Sequence, residues 1–216
     1  MGLIENNQME YWRVSDGKIR RTSDENDPLA TKRTVKLKDG TEKEMWEQVN
    51  KGVSGIITDL QINDGKFGRQ LILTVKDVEM FAITMGWESP YARTLLEKIQ
   101  GVDLTKQVSI IPYDFAAKDG RNPRGISLYQ EDKKILSYYK EYDLDGKFVD
   151  FKDGYPHFEE GMEGDDIKIM SAQQMKFLKE NVVDKFPFGT GAVTRADTGA
   201  VKPEKKTIDG QDDLPF

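Results

Sequence analysis

The sequence predicts a mainly β protein whose central part is a five-stranded barrel with the strand order β-β-β-α-β-β. Three observations predict it. Gly-containing turns separate short segments of alternating apolar residues, one well-punctuated helix follows the third central strand, and the last residues show no apolar period. We therefore expect extra N-terminal hairpins, a C-terminal helix and a disordered acidic tail around the barrel.

Two hairpins are predicted ahead of the barrel. Short segments flank Asp16-Gly17 within residues 11–21, and a second pair flanks Asp39-Gly40 within residues 34–46. Asp-Gly favours a tight turn because both residues tolerate a positive φ angle. Residues 18–38 within this region are basic, with a local excess of four positive charges to which a polyanion could bind. The cations are Lys18, Arg20, Arg21, Lys32, Arg33, Lys36 and Lys38, and the carboxylates are Asp24, Glu25 and Asp27.

The barrel is predicted over about residues 52–131 and begins with three strands. The first covers residues 53–62 and is followed by a turn at residues 63–68. The second places Leu71, Leu73 and Val75 on one face, and the third covers residues 78–85.

A short helix follows the third strand. Ser89 and Pro90 supply an N-cap and a proline at the first helical position, and Gly101 stands where a helix-ending glycine belongs. An apolar stripe with helical spacing lies between them and consists of Ala92, Leu95, Leu96 and Ile99.

Two more strands complete the barrel, over residues 107–115 and 124–130, with Ile126 and Leu128 facing inward. A polar loop over residues 116–123 joins them. Five strands with one helix between the third and fourth is the order of the OB-fold, whose face and first and last hairpin loops bind oligonucleotides.

Accessory elements are predicted after the barrel. A hairpin around Asp145-Gly146 joins residues 135–142 to residues 147–151. Ser171 begins a capping-box sequence, which predicts a helix that packs on the barrel through Met175, Leu178 and Val182. The chain is thus divided into an OB-fold domain with β extensions over residues 1–188 and a flexible linker with an acidic tail over residues 189–216.

Composition excludes several classes of protein. The chain has 216 residues, a formal net charge of −6 and a mean hydropathy of −0.65. It has no cysteine, which excludes disulfides, Cys-ligated zinc, iron–sulfur clusters and thiol nucleophiles. His157 is the one histidine, so Ser-His-Asp catalysis would have to rest on this single side chain and a metal site with several histidines is excluded. No apolar segment reaches the roughly 20 residues needed to cross a bilayer, and no signal-peptide pattern opens the sequence, so we expect a cytoplasmic protein without a membrane partner.

The chain ends in two carboxylates followed by an apolar triplet, Asp212-Asp213-Leu214-Pro215-Phe216, with Asp209 shortly before them. This ending resembles the acidic tip of bacterial and phage single-stranded DNA-binding proteins. The resemblance implies an OB-fold protein that coats single-stranded DNA during replication, recombination and repair, in the host cytoplasm if it is phage-encoded. It also implies that the tip docks on partner proteins of those processes. Such a tip acts as a tethered ligand, because Phe216 fills an apolar pocket while the carboxylates steer it toward positive surface.

A binder of single strands needs cations for phosphates and flat rings on which bases stack. The two predicted binding loops and their strands offer both. The DNA-binding candidates are Lys66, Phe67, Arg69, Tyr113, Lys118, Arg121, Arg124 and Tyr129, and further ring candidates are Trp12, Trp46 and Trp87.

Two alternatives remain open. A recombination mediator or single-strand annealing protein would use the same groove. A metal-dependent nuclease would rest on the acidic cluster Glu159, Glu160, Glu163, Asp165 and Asp166. Calcium loops around Asp145 and Asp153 lack the complete EF-hand spacing, so hairpin turns explain those residues better. We expect a homo-oligomer to be possible, and we expect no catalysis, no cofactor and no bound metal.

Overall fold

The computed structural model describes residues 9–36, 40–65, 68–116 and 122–187. These residues form a mainly β structure with two α-helices and a 3-10 turn over Val183–Lys185. The strands are β1 Glu10–Ser15, β2 Lys18–Ser23, β3 Ala30–Lys36, β4 Glu42–Asn50, β5 Val53–Gly65, β6 Gly68–Lys76, β7 Met80–Gly86, β8 Val108–Asp114, β9 Arg124–Gln130, β10 Lys133–Ile135, β11 Lys140–Tyr142 and β12 Phe148–Phe151. The helices are α1 Pro90–Ile99 and α2 Asp165–Asn181.

Both predicted N-terminal hairpins are confirmed. Strands β1 and β2 pair antiparallel around Asp16-Gly17, whose φ angles of 52° and 65° are the two positive values that a tight Asp-Gly turn requires. Strands β3 and β4 also pair antiparallel, from Ala30 opposite Gln48 to Lys36 opposite Glu42. Strand β2 pairs with β4, so the two hairpins form one four-stranded section.

The predicted β-β-β-α-β-β order is present between Val53 and Gln130 as β5-β6-β7-α1-β8-β9. The face of these strands that carries the core is called the inner face here, and the opposite one the outer face. Leu71, Leu73 and Val75 of β6 are fully buried on the inner face, as are Ile126 and Leu128 of β9, because side chains alternate along a strand.

The sheet is not closed into a barrel, and this corrects the sequence-based expectation. In the described part of the chain the strands form an open ten-stranded sheet with the order β10-β9-β8-β5-β6-β7-β1-β2-β4-β3. Closure of the five central strands would require β7 to pair with β9. Strand β7 instead pairs in parallel with β1, where Glu10 lies opposite Phe81. That pairing uses the edge of β7 that a closing strand would need.

Helix α1 covers the part of the β9 edge around Ile126, and β10 pairs with the same edge from Leu128 to Gln130. The backbone N–H of Ile126 donates to Thr94 Oγ1 at 2.8 Å, and Lys98 Nζ donates to the Ile126 carbonyl. The Ile126 N–H and C=O both point away from β8, so they are satisfied from the helix side. Pro112 lies opposite Ile126 in this non-hydrogen-bonded pair, where its missing N–H costs no ladder bond to β9. The start of α1 follows the prediction, because Ser89 Oγ accepts from the Ala92 N–H.

Two expectations for the C-terminal elements are wrong in detail. Strand β10 pairs with β9, and the hairpin around Asp145-Gly146 consists of the shorter strands β11 and β12. Helix α2 begins at Asp165 and not at the capping box of Ser171. Asp165 and Asp166 stabilise this earlier first turn, because carboxylates interact favourably with the positive end of the helix dipole.

The two helices meet over one hydrophobic core. Helix α1 contributes Leu95, Leu96 and Ile99, all fully buried. Helix α2 and the residue after it contribute the predicted Met175, Leu178 and Val182, which are 5%, 0% and 0% exposed. The C-terminal helix therefore packs on the same core as the central strands, as expected.

Candidate nucleic-acid interface

Four of the predicted binding residues lie in the described part of the chain. Arg69 is near the start of β6, Tyr113 is near the end of β8, Arg124 begins β9, and Tyr129 is close to its end. The other predicted residues lie outside the described residues. These are Lys66, Phe67, Lys118 and Arg121 of the two loops, and Asp209, Asp212, Asp213, Leu214, Pro215 and Phe216 of the tail.

Arg69 is half-exposed and forms an ion pair across its own hairpin. Its Nε lies 2.8 Å from Asp64 Oδ1, and the hydrogen bond and charge of that carboxylate hold the pKa of Arg69 above its ordinary value. The Arg69 carbonyl accepts from the Trp87 N–H at 3.0 Å, which fixes this end of β6 against the segment before α1. Asp64 thus uses the Nε–H of Arg69, and a guanidinium has four further N–H donors.

Arg124 belongs to a polar network at the junction of β8 with the β1–β2 turn. Its Nε lies 3.1 Å from Asp114 Oδ2, and the Tyr91 hydroxyl donates to the same oxygen at 3.3 Å. The Gly17 N–H in turn donates to the Tyr91 hydroxyl at 2.9 Å. Burial is the main cause that raises the pKa of Tyr91, so this hydroxyl keeps its proton at neutral pH. Arg124 is half-exposed, which leaves part of its guanidinium in contact with solvent.

Two neighbouring rings lie on β8 and just after it, on the face opposite to that of Arg124, because Arg124 pairs with Asp114 and Tyr113 pairs with Gly125. The centroids of Tyr113 and Phe115 are 5.9 Å apart, and Phe115 is 38% exposed. Tyr113 reaches over Gly125, where an ideal Cβ would lie 2.6 Å from the Tyr113 hydroxyl, so the missing side chain makes room for the ring. Phe115 was not among the predicted residues, although its spacing of two from Tyr113 is the signal that places both on one strand face.

Tyr129 lies on the same outer face as Tyr113, since it pairs with Ser109 and its neighbour Leu128 faces the core. It is half-buried. The tryptophans do not join this face. Trp87 is 7% exposed within the core, and Trp12 lies on the inner face under the guanidinium of Arg21, 5.0 Å from the ring centroid. Trp46 also lies on the inner face, because it pairs with Ser23 of β2 and Lys32 of β3.

An open groove of about 900 Å³ lies beside Arg69, between the end of the β5–β6 hairpin, α1 and α2. Trp87 and Met175 contribute apolar surface to it. Its lining is richer in cations than in carboxylates. The cations are Arg69, Arg93, Lys168, Lys176 and Lys179, and the carboxylates are Asp64 and Glu88. Basic surface therefore continues from the end of the β5–β6 hairpin toward α2.

The acidic segment ahead of α2 does not assemble a metal centre. Among the described residues, no group of three or more His, Asp or Glu side chains is placed to hold a metal ion. Asp165 pairs instead with Lys168 at 2.8 Å within the first turn of α2.

Comparison with known proteins finds no relative of this chain. No protein-family model, no curated protein and no solved structure matches it. Among the described residues, neither helix combines the length and the apolar character that crossing a membrane requires.

Proposed function

We propose that this chain is a single-stranded DNA-binding protein that coats exposed strands and recruits other proteins through its C-terminal tip. The observation that carries the proposal is the pair of neighbouring rings, Tyr113 and Phe115, at the outer-face end of β8. The half-exposed guanidinium of Arg124 lies at the adjoining start of β9, on the opposite face. Rings and a cation at one end of a strand pair are what an unpaired strand needs, because it presents base faces and phosphates together.

The strand order supports an OB-type binding domain. Strand β5 pairs antiparallel with both β6 and β8, and β8 pairs with β9. These pairings, together with α1 between the third and fourth strands, follow the OB order. We propose an opened variant of that fold, in which the β1–β2 hairpin and α1 occupy the place of the closing strand pair.

The binding chemistry follows from these groups. A base stacks on the exposed side of Phe115, and Tyr113 lies next to that ring with the two centroids 5.9 Å apart. Arg124 keeps donors for a phosphate oxygen after its Nε has paired with Asp114. Arg69 offers a second cation at the other hairpin end. The loop residues Lys66, Phe67, Lys118 and Arg121 extend both places in sequence.

The tail supplies the second half of the proposal. Asp212, Asp213 and the apolar end at Phe216 form a tethered ligand for replication, recombination or repair proteins. A flexible chain of 29 residues, the number that follows Pro187 in the sequence, would span about 30 Å, enough for one partner to be held while the domain stays on DNA. The protein acts by mass action and catalyses nothing.

The test is a fluorescence anisotropy titration of a labelled oligo-dT of about 16 nucleotides with the wild-type chain. Phe115→Ala should weaken binding about tenfold, because one base stack is worth about 1 to 3 kcal/mol. Phe148→Ala is the matched control, since Phe148 is an exposed phenylalanine of the separate β11–β12 hairpin. A wild-type chain that fails to bind oligo-dT at low salt would contradict the proposed function. Equal loss in both variants would remove Phe115 from the interface.

A further inference from the structure

Charged side chains of the four N-terminal strands are sorted by sign between the two faces of the sheet. Continuous registers of β1 with β2, β2 with β4 and β3 with β4 place alternate residues on opposite faces. On the outer face lie Arg13, Lys18, Arg20, Arg33, Lys43 and Glu47. On the inner face lie Glu10, Arg21, Lys32, Lys36, Glu42 and Glu44. The outer face therefore has a surplus of four positive charges, whereas the inner face is balanced.

Glu47 organises three arginines at the centre of the outer face. Its side chain is 1% exposed, and its carboxylate pairs with Arg13, with Arg20 at 3.1 Å and with Arg33 at 3.5 Å. Asp16 of the β1–β2 turn adds a second carboxylate, 3.2 Å from Arg33 and 3.6 Å from Arg20. These contacts hold the guanidinium groups in defined positions before any ligand arrives.

Positive charge and hydrogen-bond donors remain after these pairs are formed. Three guanidinium groups face two carboxylates, and each guanidinium has five N–H donors. The side chains of Arg13 and Arg33 are 45% and 35% exposed, whereas that of Arg20 is 12% exposed. Two fixed guanidinium groups thus present donors to solvent, and their planar geometry matches phosphate oxygens.

The position of this cluster connects it to the interface on β8 and β9. An ideal Cβ on Gly17 would lie 2.6 Å from the Asp114 backbone nitrogen, so the β1–β2 turn touches the end of β8. Asp114 is the partner of Arg124, and Tyr113 lies on the outer face that also carries Arg20. The β1–β2 turn therefore joins the two places, because Asp16 pairs with Arg20 and Arg33 while Gly17 contacts the end of β8.

We propose that Arg13, Lys18, Arg20, Arg33 and Lys43 around Glu47, here called the arginine face, form a second binding site for the phosphodiester backbone of a nucleic-acid strand. The inference rests on the proposed function and adds to it that the N-terminal hairpins carry the strand beyond the two loops. Glu47 acts as a positioning residue, because it fixes the guanidinium groups without touching the phosphates.

The experiment compares two double variants that remove the same charge from opposite faces of one four-stranded section. The variant of the arginine face is Arg13→Gln with Arg33→Gln, and the matched control is Arg21→Gln with Lys32→Gln on the inner face. Binding of a labelled oligo-dT is measured by anisotropy over a series of salt concentrations. Loss of two phosphate contacts should make the log–log salt slope shallower by about 1.4, since each contact to a single strand contributes about 0.7. The control should keep the slope of the wild-type chain.

The outcomes separate this inference from the proposed function. A wild-type chain without affinity for oligo-dT overturns the proposed function. A wild-type chain that binds, with equal slopes for it and the Arg13→Gln, Arg33→Gln variant, overturns the second site alone. If thermal unfolding shows that this variant is not folded, Lys18→Gln with Lys43→Gln decides, because neither lysine pairs with Glu47. This second variant should also make the slope shallower, and an unchanged slope then overturns the inference.

Discussion

Lys98 brings an ammonium group into the interior at the contact between α1 and β9. Burial, with a smaller contribution from the nearby cations Lys134 and Lys140, lowers the pKa of Lys98 to about 8 from its ordinary 10.5. The neighbouring Glu97 opposes this shift. Nζ donates to the Ile126 carbonyl, so the charged group completes the hydrogen bonds of the β9 edge although it costs solvation.

The low pKa of Lys98 predicts a pH-dependent stability. Between about pH 8 and pH 10.5 the unfolded chain binds more protons at this site than the folded chain, so the free energy of unfolding rises with pH. Between about pH 7.5 and about pH 9.5, Lys98 alone should raise the free energy of unfolding by about 2 kcal/mol. Urea unfolding of the wild-type chain and of Lys98→Met at both pH values measures it. The variant should lack this rise, and parallel pH profiles for the two proteins would contradict the prediction.

Gly17 joins the β1–β2 turn to β8, and a side chain there should disturb that contact. Its φ angle is 65°, and an added Cβ would lie 2.6 Å from the Asp114 backbone nitrogen. Gly146→Ala is the matched control, because Gly146 has a φ angle of 76° and nothing lies within 4 Å of its Cβ position. Gly146→Ala should cost about 1 kcal/mol, and Gly17→Ala should cost about 1 to 3 kcal/mol more. Equal thermal unfolding of the two variants would show that the turn does not rest on β8.

At the scale of elements, α1 acts as the edge partner of β9. Thr94 Oγ1 accepts from the Ile126 N–H at 2.8 Å and donates to the Pro90 carbonyl at 2.8 Å. The helix thereby takes over part of the hydrogen bonding that a paired strand would supply.

This role predicts the effect of two substitutions at Thr94. Thr94→Val keeps the shape but leaves the Ile126 N–H without its acceptor, which should cost about 1 to 3 kcal/mol of unfolding free energy. Thr94→Ser keeps the hydroxyl and should cost about 1 kcal/mol or less. The midpoints of urea unfolding, compared at an equal dependence of the unfolding free energy on urea concentration, distinguish the two variants. If the serine variant is as unstable as the valine variant, the hydrogen bond from the Ile126 N–H to the hydroxyl does not stabilise the edge of β9.

Local sequence patterns are sufficient to predict most helices, strands and turns. They do not predict which strands pair when the strands are far apart in the sequence. The Asp16-Gly17 turn and the Ser89-Pro90 helix start depend on neighbouring residues, so the sequence predicts them correctly. The parallel pairing of β1 with β7 joins residues about 70 positions apart, and no local pattern specifies it. The capping-box pattern at Ser171 predicts a start for α2 that is too late, because Asp165 and Asp166 already stabilise an earlier first turn.

At the scale of the whole molecule, the candidate site too can be predicted from the sequence only where it does not depend on long-range strand pairing. Tyr113 and Arg124 could be proposed from the predicted loop between β8 and β9. The arginine face could not, because Arg13, Arg20 and Arg33 belong to three strands whose shared face depends on the registers of the sheet. The sequence shows a basic region there, and only the pairing separates its outer cations from Arg21 and Lys32 on the inner face.

The distribution of charge over the whole chain predicts how the tail influences DNA binding. Deletion of residues 209–216 removes three aspartates and changes the formal net charge from −6 to −3, so a polyanion is repelled less. Affinity for oligo-dT should stay equal or become tighter, by no more than about tenfold at low salt, and any gain should shrink at high salt. Phe216→Ala is the control, because it removes the apolar end and keeps the three aspartates. It should leave affinity for DNA unchanged in the same anisotropy titration. Weaker binding after the deletion would mean that the tail contributes to the DNA interface, and the division into a binding domain over residues 1–188 and a recruiting tail over residues 189–216 would then be wrong.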